Sequence, residues 1–217
     1  MNLLDKFKTI FVNFHYFPFR QAKKFPLRVH HSVKLGKLGK KGSIVIEDPN
    51  AKIYIGFKGS FNLASKRTFW YVEDHAKLVF QGSAFIAAGS QIAVWDGGTA
   101  IFGKDFFAND NFFMTCHDKI TFGNNVLIGW DVVFMDVDGH PIFKNGAPTP
   151  THLPVTIGNN VWIASYASIL KGAAIGDNSI VATKALVSKK FEKDHILIGK
   201  FNEVLAENVS FSPDHNI

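Results

Sequence analysis

The chain has 217 residues and 47% apolar residues, which fits one large globular domain or one domain with a tail. No apolar run approaches the roughly 18 residues of a membrane span. The single cysteine, Cys116, excludes an internal disulfide and a thiolate-rich zinc site. Lys6, Lys8 and Asn13 interrupt the apolar start and no small-residue cleavage site follows, so we expect a cytoplasmic protein without a signal peptide.

Positive charge is concentrated at the N-terminus. The net charge is +6, and residues 1–42 hold ten basic residues against one acidic residue, Asp5. This segment therefore carries +9, which leaves −3 for residues 43–217. A nucleic-acid-binding body would spread its basic residues differently, so we expect no nucleic-acid partner.

Residues 1–42 form a basic aromatic extension that begins with a predicted helix. Its apolar residues follow helical spacing up to Pro18, and they are Leu3, Phe7, Ile10, Phe11 and Phe14. In one interpretation this stripe docks on the main domain. In the other it lies on an anionic membrane surface, as a peripheral contact. The two interpretations are compatible.

The rest of the chain repeats every six residues from about residue 80 onward. In its last part, large apolar residues recur at Ile157, Ile163, Ile169, Ile175, Val181 and Val187. Compact residues stand four positions after the first five, at Val161, Ala167, Ala173, Ser179 and Ala185. Six is not a multiple of 3.6, so the pattern predicts a solenoid of short strands and turns, whose large residues point inward. We place it at 43–198, with a loop at 139–154 where the repeat breaks, and a tail at 199–217.

Two stretches carry a family resemblance. "VTIGNNVWIASYASILKGAAIGDNSIVATKALVSKK" (155–190) and "FFANDNFFMTCHDKITFGNNVLIGWDVVFMDVDGHPI" (106–142) resemble hexapeptide-repeat acyltransferases. Within that family the chain is most similar to capsular and lipopolysaccharide O-acetyltransferases and to galactoside, maltose and Nod-factor acetyltransferases. The resemblance implies an all-β fold, the left-handed parallel β-helix. It also implies acetyl-CoA as acyl donor, a saccharide acceptor, and a homotrimer with its active site between neighbouring subunits.

The principal catalytic candidate is His140, in the run "DVDGHPI" where the repeat gives way to a loop. An imidazole can accept a hydroxyl proton at neutral pH, and the resemblance implies that His140 is the general base. Asn109, in "FFANDN", matches an asparagine that binds the acceptor or steadies the oxyanion. A turn ladder within the solenoid is the alternative for Asn109. Asp136 and Asp138 could orient the imidazole, and solvation of a corner explains them equally well.

The resemblance also implies a set of donor-binding residues, which are Trp162, Ser165, Ala182, Thr183 and Lys189. Small residues would let the pantetheine arm lie close to the coils, and Lys189 could meet phosphates as a charge. Cys116 and His117 read as structural. The chain departs from the family near its end, because Lys200, Phe201 and Asn202 follow Gly199 where the family has Asn-Pro-Ala.

Two other function classes compete. A γ-type carbonic anhydrase on the same fold would need a close-spaced histidine pair, and His75, His117, His140 and His152 are dispersed. We therefore expect no metal. A purely structural solenoid would not explain His140 and Asn109. Among the enzymes, the runner-up to sugar O-acetylation is N-acetylation of an amino sugar or O-acetylation of a small molecule such as an antibiotic.

Overall fold

The computed structural model describes residues 1–61, 63–140, 142–145, 147–200 and 203–208. Two helices, α1 (Leu3–Tyr16) and α2 (Phe19–Ala22), precede three sheets built from parallel strands, and each full coil places one strand in each sheet. The expected left-handed parallel β-helix is confirmed. We call the sheets A, B and C in the order in which a coil enters them.

Sheet A contains β1 (Leu27–Val29), β4 (Ile53–Phe57), β7 (Ala84–Ala87), β10 (Phe106–Ala108), β13 (Leu127–Ile128), β18 (Trp162–Ile163), β21 (Ile180–Val181), β24 (Ile196–Ile198) and β25 (Val204–Glu207). Sheet B contains β2 (Lys34–Leu35), β5 (Phe69–Val72), β8 (Gln91–Val94), β11 (Phe113–Cys116), β14 (Val133–Met135), β19 (Ser168–Leu170) and β22 (Leu186–Val187). Sheet C contains β3 (Ile44–Ile46), β6 (Lys77–Phe80), β9 (Thr99–Phe102), β12 (Lys119–Phe122), β17 (Val155–Ile157), β20 (Ala174–Ile175) and β23 (Lys190–Phe191). A small hairpin pairs β15 (Phe143–Lys144) with β16 (Ala147–Pro148).

The six-residue repeat fills the core as predicted. Every third hexad returns to the same sheet, so Ile157 pairs in register with Ile175, and Ile163 with Val181. All four side chains are buried. In the earlier coils the same inward column of sheet C is aromatic. The rings of Phe80, Phe102 and Phe122 stack at centroid distances of 5.0 and 5.1 Å, which places three of the chain's 22 phenylalanines in one column.

The corners of the coils use residues that tolerate a left-handed backbone. At the corner between sheets C and A, Asn125, Asn160 and Asn178 have φ values of 56°, 53° and 56°. Their amides form a ladder, with Asn125 Nδ2 donating to Asn160 Oδ1 at 2.9 Å and Asn160 Nδ2 donating to Asn178 Oδ1 at 3.0 Å. Gly123 is needed nearby because a Cβ there would lie 2.6 Å from the backbone carbonyl of Gly158.

The solenoid begins earlier than expected. β1 pairs in parallel with β4, and β2 with β5, so coils start at Leu27 and the boundary expected at residue 43 falls inside the first turn. The sequence hides this because long corner segments break the six-residue spacing there. At the other end the coils finish with β24, and β25 folds back antiparallel along it.

Helix α1 covers the open edge of β1 with polar side chains. Asn13 accepts from the Leu27 N–H at 3.2 Å and donates to the Leu27 carbonyl at 2.8 Å. Thr9 Oγ1 accepts from the N–H of Val29 at 3.0 Å, and Asp5 Oδ1 accepts from the N–H of His31 at 2.7 Å. Residues four apart on a helix rise about 6 Å, close to the rise of two residues along a strand, so the three side chains match alternate strand residues.

This arrangement corrects one interpretation of the helix. The stripe of Leu3, Phe7, Ile10, Phe11 and Phe14 does not dock on the solenoid, because all five side chains are exposed. The docked face is instead Asp5, Thr9, Val12, Asn13 and Tyr16, all buried. The physical reason is that the unpaired backbone of β1 needs hydrogen-bonding partners, which apolar side chains cannot provide. No helix among the described residues is long and apolar enough to cross a membrane.

Candidate active site

The predicted site residues divide between two corners of the prism. The A–B corner, where a coil passes from sheet A to sheet B, holds Asn109, Ser165, Ala182 and Thr183. The B–C corner, where it passes from sheet B to sheet C, holds Asp136, Asp138, His140 and Lys189. Trp162 lies on sheet A itself, in β18. One protomer therefore does not bring His140 and Asn109 together.

The A–B corner is packed and hydrogen-bonded. Asn109 is 7% exposed, and its Nδ2 donates to the carbonyl of Ile128 at 3.3 Å. The neighbouring Asp110 is fully buried, and its carboxylate accepts from the N–H groups of Gly59 and Leu63 at 3.1 and 2.7 Å. The segment between β4 and β5 is thereby folded over this corner. Asn109 thus contacts the backbone of the next coil, and its acceptor-binding role stays a prediction.

An open groove of about 1010 Å³ runs along the outer face of sheet A next to this corner. Its lining includes four aromatic residues, Phe61, Phe107, Trp130 and Trp162. Asn109 and Ser165 line it at the A–B corner, and the asparagine ladder lines it at the corner between sheets C and A. The rings of Phe61 and Trp130 lie 5.4 Å apart. Sequence reasoning missed Phe61 and Trp130. Only the fold places the corner segment of Phe61 over the coil that carries Trp130.

The predicted donor residues follow the same edge with one exception. Ser165 Oγ accepts from the N–H of Trp130 at 3.1 Å, and Ala182 and Thr183 lie one coil further on. Trp162 is 36% exposed, and it stacks in register between Leu127 and Ile180 of the adjacent coils. Lys189 lies at the other corner, with its ammonium 5.4 Å from the centroid of the Phe191 ring.

The B–C corner carries the expected loop. His140 is exposed and follows Gly139, whose φ of 80° turns the chain outward. The two stems of the loop are joined, because the N–H of Asp138 donates to the carbonyl of Thr151 at 2.9 Å and that of Leu153 donates to the carbonyl of Asp136 at 3.0 Å. The imidazole is thus presented from a loop whose base is tied to the solenoid.

The two aspartates before His140 have different surroundings. Asp136 is fully buried, and its oxygens accept from the N–H groups of His117 and Asp118, each at 2.8 Å. It therefore holds the turn of the preceding coil. Asp138 is partly exposed and forms an ion pair with Lys171. The role of either aspartate in orienting the imidazole stays a prediction.

Lys171, which sequence reasoning missed, contacts both stems of the His140 loop. Its ammonium forms the ion pair with Asp138 and also donates to the carbonyl of Pro150 at 2.6 Å. Lys171, which lies in the next coil, therefore joins the two stems of the His140 loop. The only sequence signal is its place before Gly172, at a turn of the repeat. The contact partners are twenty or more residues away in the chain, which no local pattern reveals.

Cys116 and His117, which we interpret from the sequence as structural, have surroundings that agree with this interpretation. Cys116 is fully buried, and burial raises the pKa of its thiol far above the ordinary range. Burial lowers the pKa of His117, which stacks on Trp95 at a centroid distance of 5.2 Å.

One cluster among the described residues could hold a metal ion. The potential ligand atoms of Asp5, His30 and His31 lie within 4.8 Å of one another. Asp5, however, is already engaged, because its oxygens accept from the N–H groups of Asn2 and His31. Burial opposes ionisation of this carboxyl, and the hydrogen bonds from His31 outweigh it, so the pKa of Asp5 lies below its ordinary value. The cluster serves to anchor α1.

Residues 154–189 match the family model of the bacterial transferase hexapeptide (six repeats). The resemblance read from the sequence is thus confirmed. The chain is 36% identical over 115 residues to a galactoside O-acetyltransferase of Escherichia coli K12, covering 51% of this chain and 55% of the relative. It spans about half the length of that relative.

Two further comparisons cover a larger share of this chain. The chain is 22% identical over 140 residues to a putative lipopolysaccharide biosynthesis O-acetyl transferase of Escherichia coli K12, covering 59% of this chain and 71% of the relative. The crystal structure of the polySia specific acetyltransferase NeuO superposes with a TM-score of 0.55 at 18% identity, covering 88% of this chain and 77% of that one. At that identity the superposition supports the fold alone.

Proposed function

We propose that the protein is an acetyl-CoA-dependent O-acetyltransferase that acts on a sugar hydroxyl during synthesis of a surface polysaccharide, such as capsule or lipopolysaccharide. The observation that carries this proposal is the exposed His140 on a clamped loop, on a solenoid whose residues 154–189 match the hexapeptide transferase model. The names of the relatives support O-acetylation and a saccharide acceptor. Acetyl-CoA is made in the cytoplasm, which supports a cytoplasmic place of action.

In the proposed reaction His140 removes the proton of the acceptor hydroxyl as its oxygen attacks the thioester carbonyl. The new carbon–oxygen bond forms a tetrahedral oxyanion, which the amide of Asn109 would steady. When the oxyanion collapses, the carbon–sulfur bond breaks and the imidazolium returns its proton to the sulfur of CoA. The thioester is already activated, so the step requires no metal.

The donor would lie along the A–B edge, where Trp162 and the small residues Ser165, Ala182 and Thr183 leave room for the pantetheine arm. Lys189 would meet a phosphate from the neighbouring corner. Lys200, Phe201 and Asn202 stand where the family has Asn-Pro-Ala, so contacts to the adenine end would differ in this chain. Phe201 and Asn202 lie outside the described residues.

The separation of His140 and Asn109 on different corners supports a homotrimer. The catalytic machinery would be complete only if the B–C corner of one subunit faced the sheet A groove of its neighbour. Cyclic symmetry would then build three identical sites from one kind of contact.

Mixed trimers test this arrangement. His140→Ala removes the base, and Ala182→Trp would fill the donor edge, so each parent should be nearly inactive. In trimers reassembled from equal amounts, a shared site receives both intact halves in about one case in four, so activity should reach about a quarter of the wild-type value. Activity no higher than that of the parents would contradict a shared site.

The acceptor class is tested by thiol release from acetyl-CoA with a panel of oligosaccharides, sugar nucleotides, amino sugars and hydroxylated antibiotics. We expect the largest kcat/KM with a saccharide hydroxyl. An amine is already nucleophilic when neutral, so turnover of an amino sugar that survives His140→Ala would instead favour N-acetylation.

A further inference from the structure

We propose that the outer face of helix α1 binds the surface of an anionic lipid bilayer. This outer face consists of exposed apolar side chains from α1 and the start of α2, namely Leu3, Leu4, Phe7, Ile10, Phe11, Phe14 and Phe19. Their exposed fractions run from 39% for Phe14 to 69% for Phe19. A contiguous apolar patch of this kind is unusual on a soluble monomer and marks a surface that is covered by something.

The solenoid itself cannot cover the outer face. Asp5, Thr9 and Asn13 on the opposite side of α1 complete the hydrogen bonds of β1. Rotating the helix to bury its aromatic residues would leave the backbone groups of β1 without partners. The helix is therefore locked with its polar side inward and its apolar side outward.

The surrounding charge favours a lipid surface. Lys6 is exposed on α1, and Arg20 is exposed on the neighbouring α2. Lys23, directly after α2, is also exposed, and its ammonium lies 5.9 Å from the centroid of the Phe19 ring. Residues 1–42 carry +9. An amphipathic helix with aromatic residues on one side and basic residues at its flanks suits an anionic interface, and at 14 residues α1 is long enough to lie in the interface but too short to span it.

A second copy of the chain fits the outer face less well. Face-to-face pairing of two copies would bring two equally basic segments together, and repulsion between like charges would oppose the contact. Anionic lipid headgroups satisfy the basic residues while the acyl region takes the aromatic side chains. The positive charge and the apolar surface thus point to the same partner.

The consequence for the enzyme follows from the position of the cap. α1 closes the N-terminal end of the solenoid, and His140, Trp162 and Ala182 lie several coils further on. If the proposed trimer is correct, its three copies of α1 lie at one level along the threefold axis and would bind a membrane together, with a gain in avidity. That last step rests on the proposed function, whereas the lipid contact of a single chain does not.

The test measures binding of the full chain to vesicles of phosphatidylcholine with and without phosphatidylglycerol. The double variant Phe7→Ser with Phe11→Ser removes two rings that are 62% and 56% exposed, and Phe143→Ser removes a 65% exposed ring from the distant hairpin as the matched control. We expect wild type and control to sediment with anionic vesicles at low salt, and the double variant to bind about tenfold or more weakly. Point variants are used because deleting α1 would also uncover β1.

Two outcomes would overturn the lipid contact. One is vesicle binding by the double variant equal to that of wild type. The other is no vesicle binding by wild type. A smaller molar mass of the double variant in light scattering would in that case make the outer face an interface between copies. Acetyl transfer to a soluble acceptor is measured in parallel. Its absence in wild type would contradict the proposed function and leave the vesicle result standing.

Discussion

The A–B and B–C corners contain similar residues, but the residues have different roles at the two corners. At the A–B corner, Asn109 and Asp110 are buried and their side chains bind backbone groups. At the B–C corner, the side chain of Asp136 also binds backbone groups, but the chain then leaves the solenoid and exposes His140. The A–B corner thus shapes a groove, and the B–C corner presents a titratable group that a neighbouring subunit could receive.

This contrast implies that variants at the two corners fail in different ways. Variants of the B–C loop should slow the reaction with little loss of stability, because few buried contacts depend on the loop. Loss of the Asp110 carboxylate at the A–B corner should instead destabilise the fold, because two hydrogen bonds depend on this buried side chain.

His140→Ala should give the largest effect. Without the base, kcat should fall by about 10²–10⁴, the usual range for positioned proton transfer. KM for acetyl-CoA should barely change, since the proposed donor edge lies on another corner. The wild-type rate should rise with pH through one ionisation, and that limb should be absent from the variant, as measured by steady-state kinetics across pH.

The matched control is His152→Ala, an exposed histidine of the same loop. It should keep most of the activity and the pH limb. A His140→Ala protein with near-normal turnover, and with the assembly state of wild type, would eliminate His140 as the base.

Asp110→Ala should destabilise the protein by about 1–3 kcal/mol, because the N–H groups of Gly59 and Leu63 lose their acceptors. Urea unfolding measures this free energy. Asp74→Ala is the control, since Asp74 is half exposed in an ion pair with Lys37 and should cost less than about 1 kcal/mol. Equal stabilities for the two variants would mean that the A–B corner is not the structural one.

Lys171→Met should lower kcat by about tenfold, because the His140 loop loses the group that grips Asp138 and the carbonyl of Pro150. The pH limb should remain, since the base is still present. Lys171→Arg should restore part of the rate through the same ion pair, and Lys119→Met, an exposed lysine of sheet C, should have no effect. A loss of stability at unchanged kcat would assign Lys171 a purely structural role.

The sequence predicted the parts of the fold that repeat. The inward columns that contain Ile157 and Ile163 could be predicted, because stacking requires the same six-residue spacing in every coil. The first coil was missed because its corner segments are long. The interpretation in which the apolar stripe of the helix docks on the solenoid was wrong, because apolar periodicity normally marks the buried side. Here the unpaired backbone edge of β1 requires polar side chains. This requirement comes from the tertiary structure, and the local sequence around Asp5, Thr9 and Asn13 does not show it.

The candidate site was predictable by resemblance and only in part. His140 and Asn109 could be named because each sits in a quotable run of residues. Their separation on two corners could not be seen, since it depends on which sheet each strand joins. Phe61 contacts Trp130, and Lys171 contacts Asp138, and both pairs are distant in sequence. A single sequence shows no sign of either pair.

Asn109→Ala is the sharpest probe of the A–B corner. An amide that steadies an oxyanion contributes to kcat, and an amide that only joins coils contributes to stability. The Nδ2 contact to Ile128 is long, at 3.3 Å, so its loss should cost little stability. We therefore expect kcat to fall by less than in His140→Ala, with the pH limb intact because an amide does not titrate. Asn109→Asp, similar in shape but anionic, should be slower than the alanine variant if an oxyanion forms beside it. An aspartate variant faster than the alanine variant would assign Asn109 a purely structural role and leave the groove without an oxyanion donor from this position.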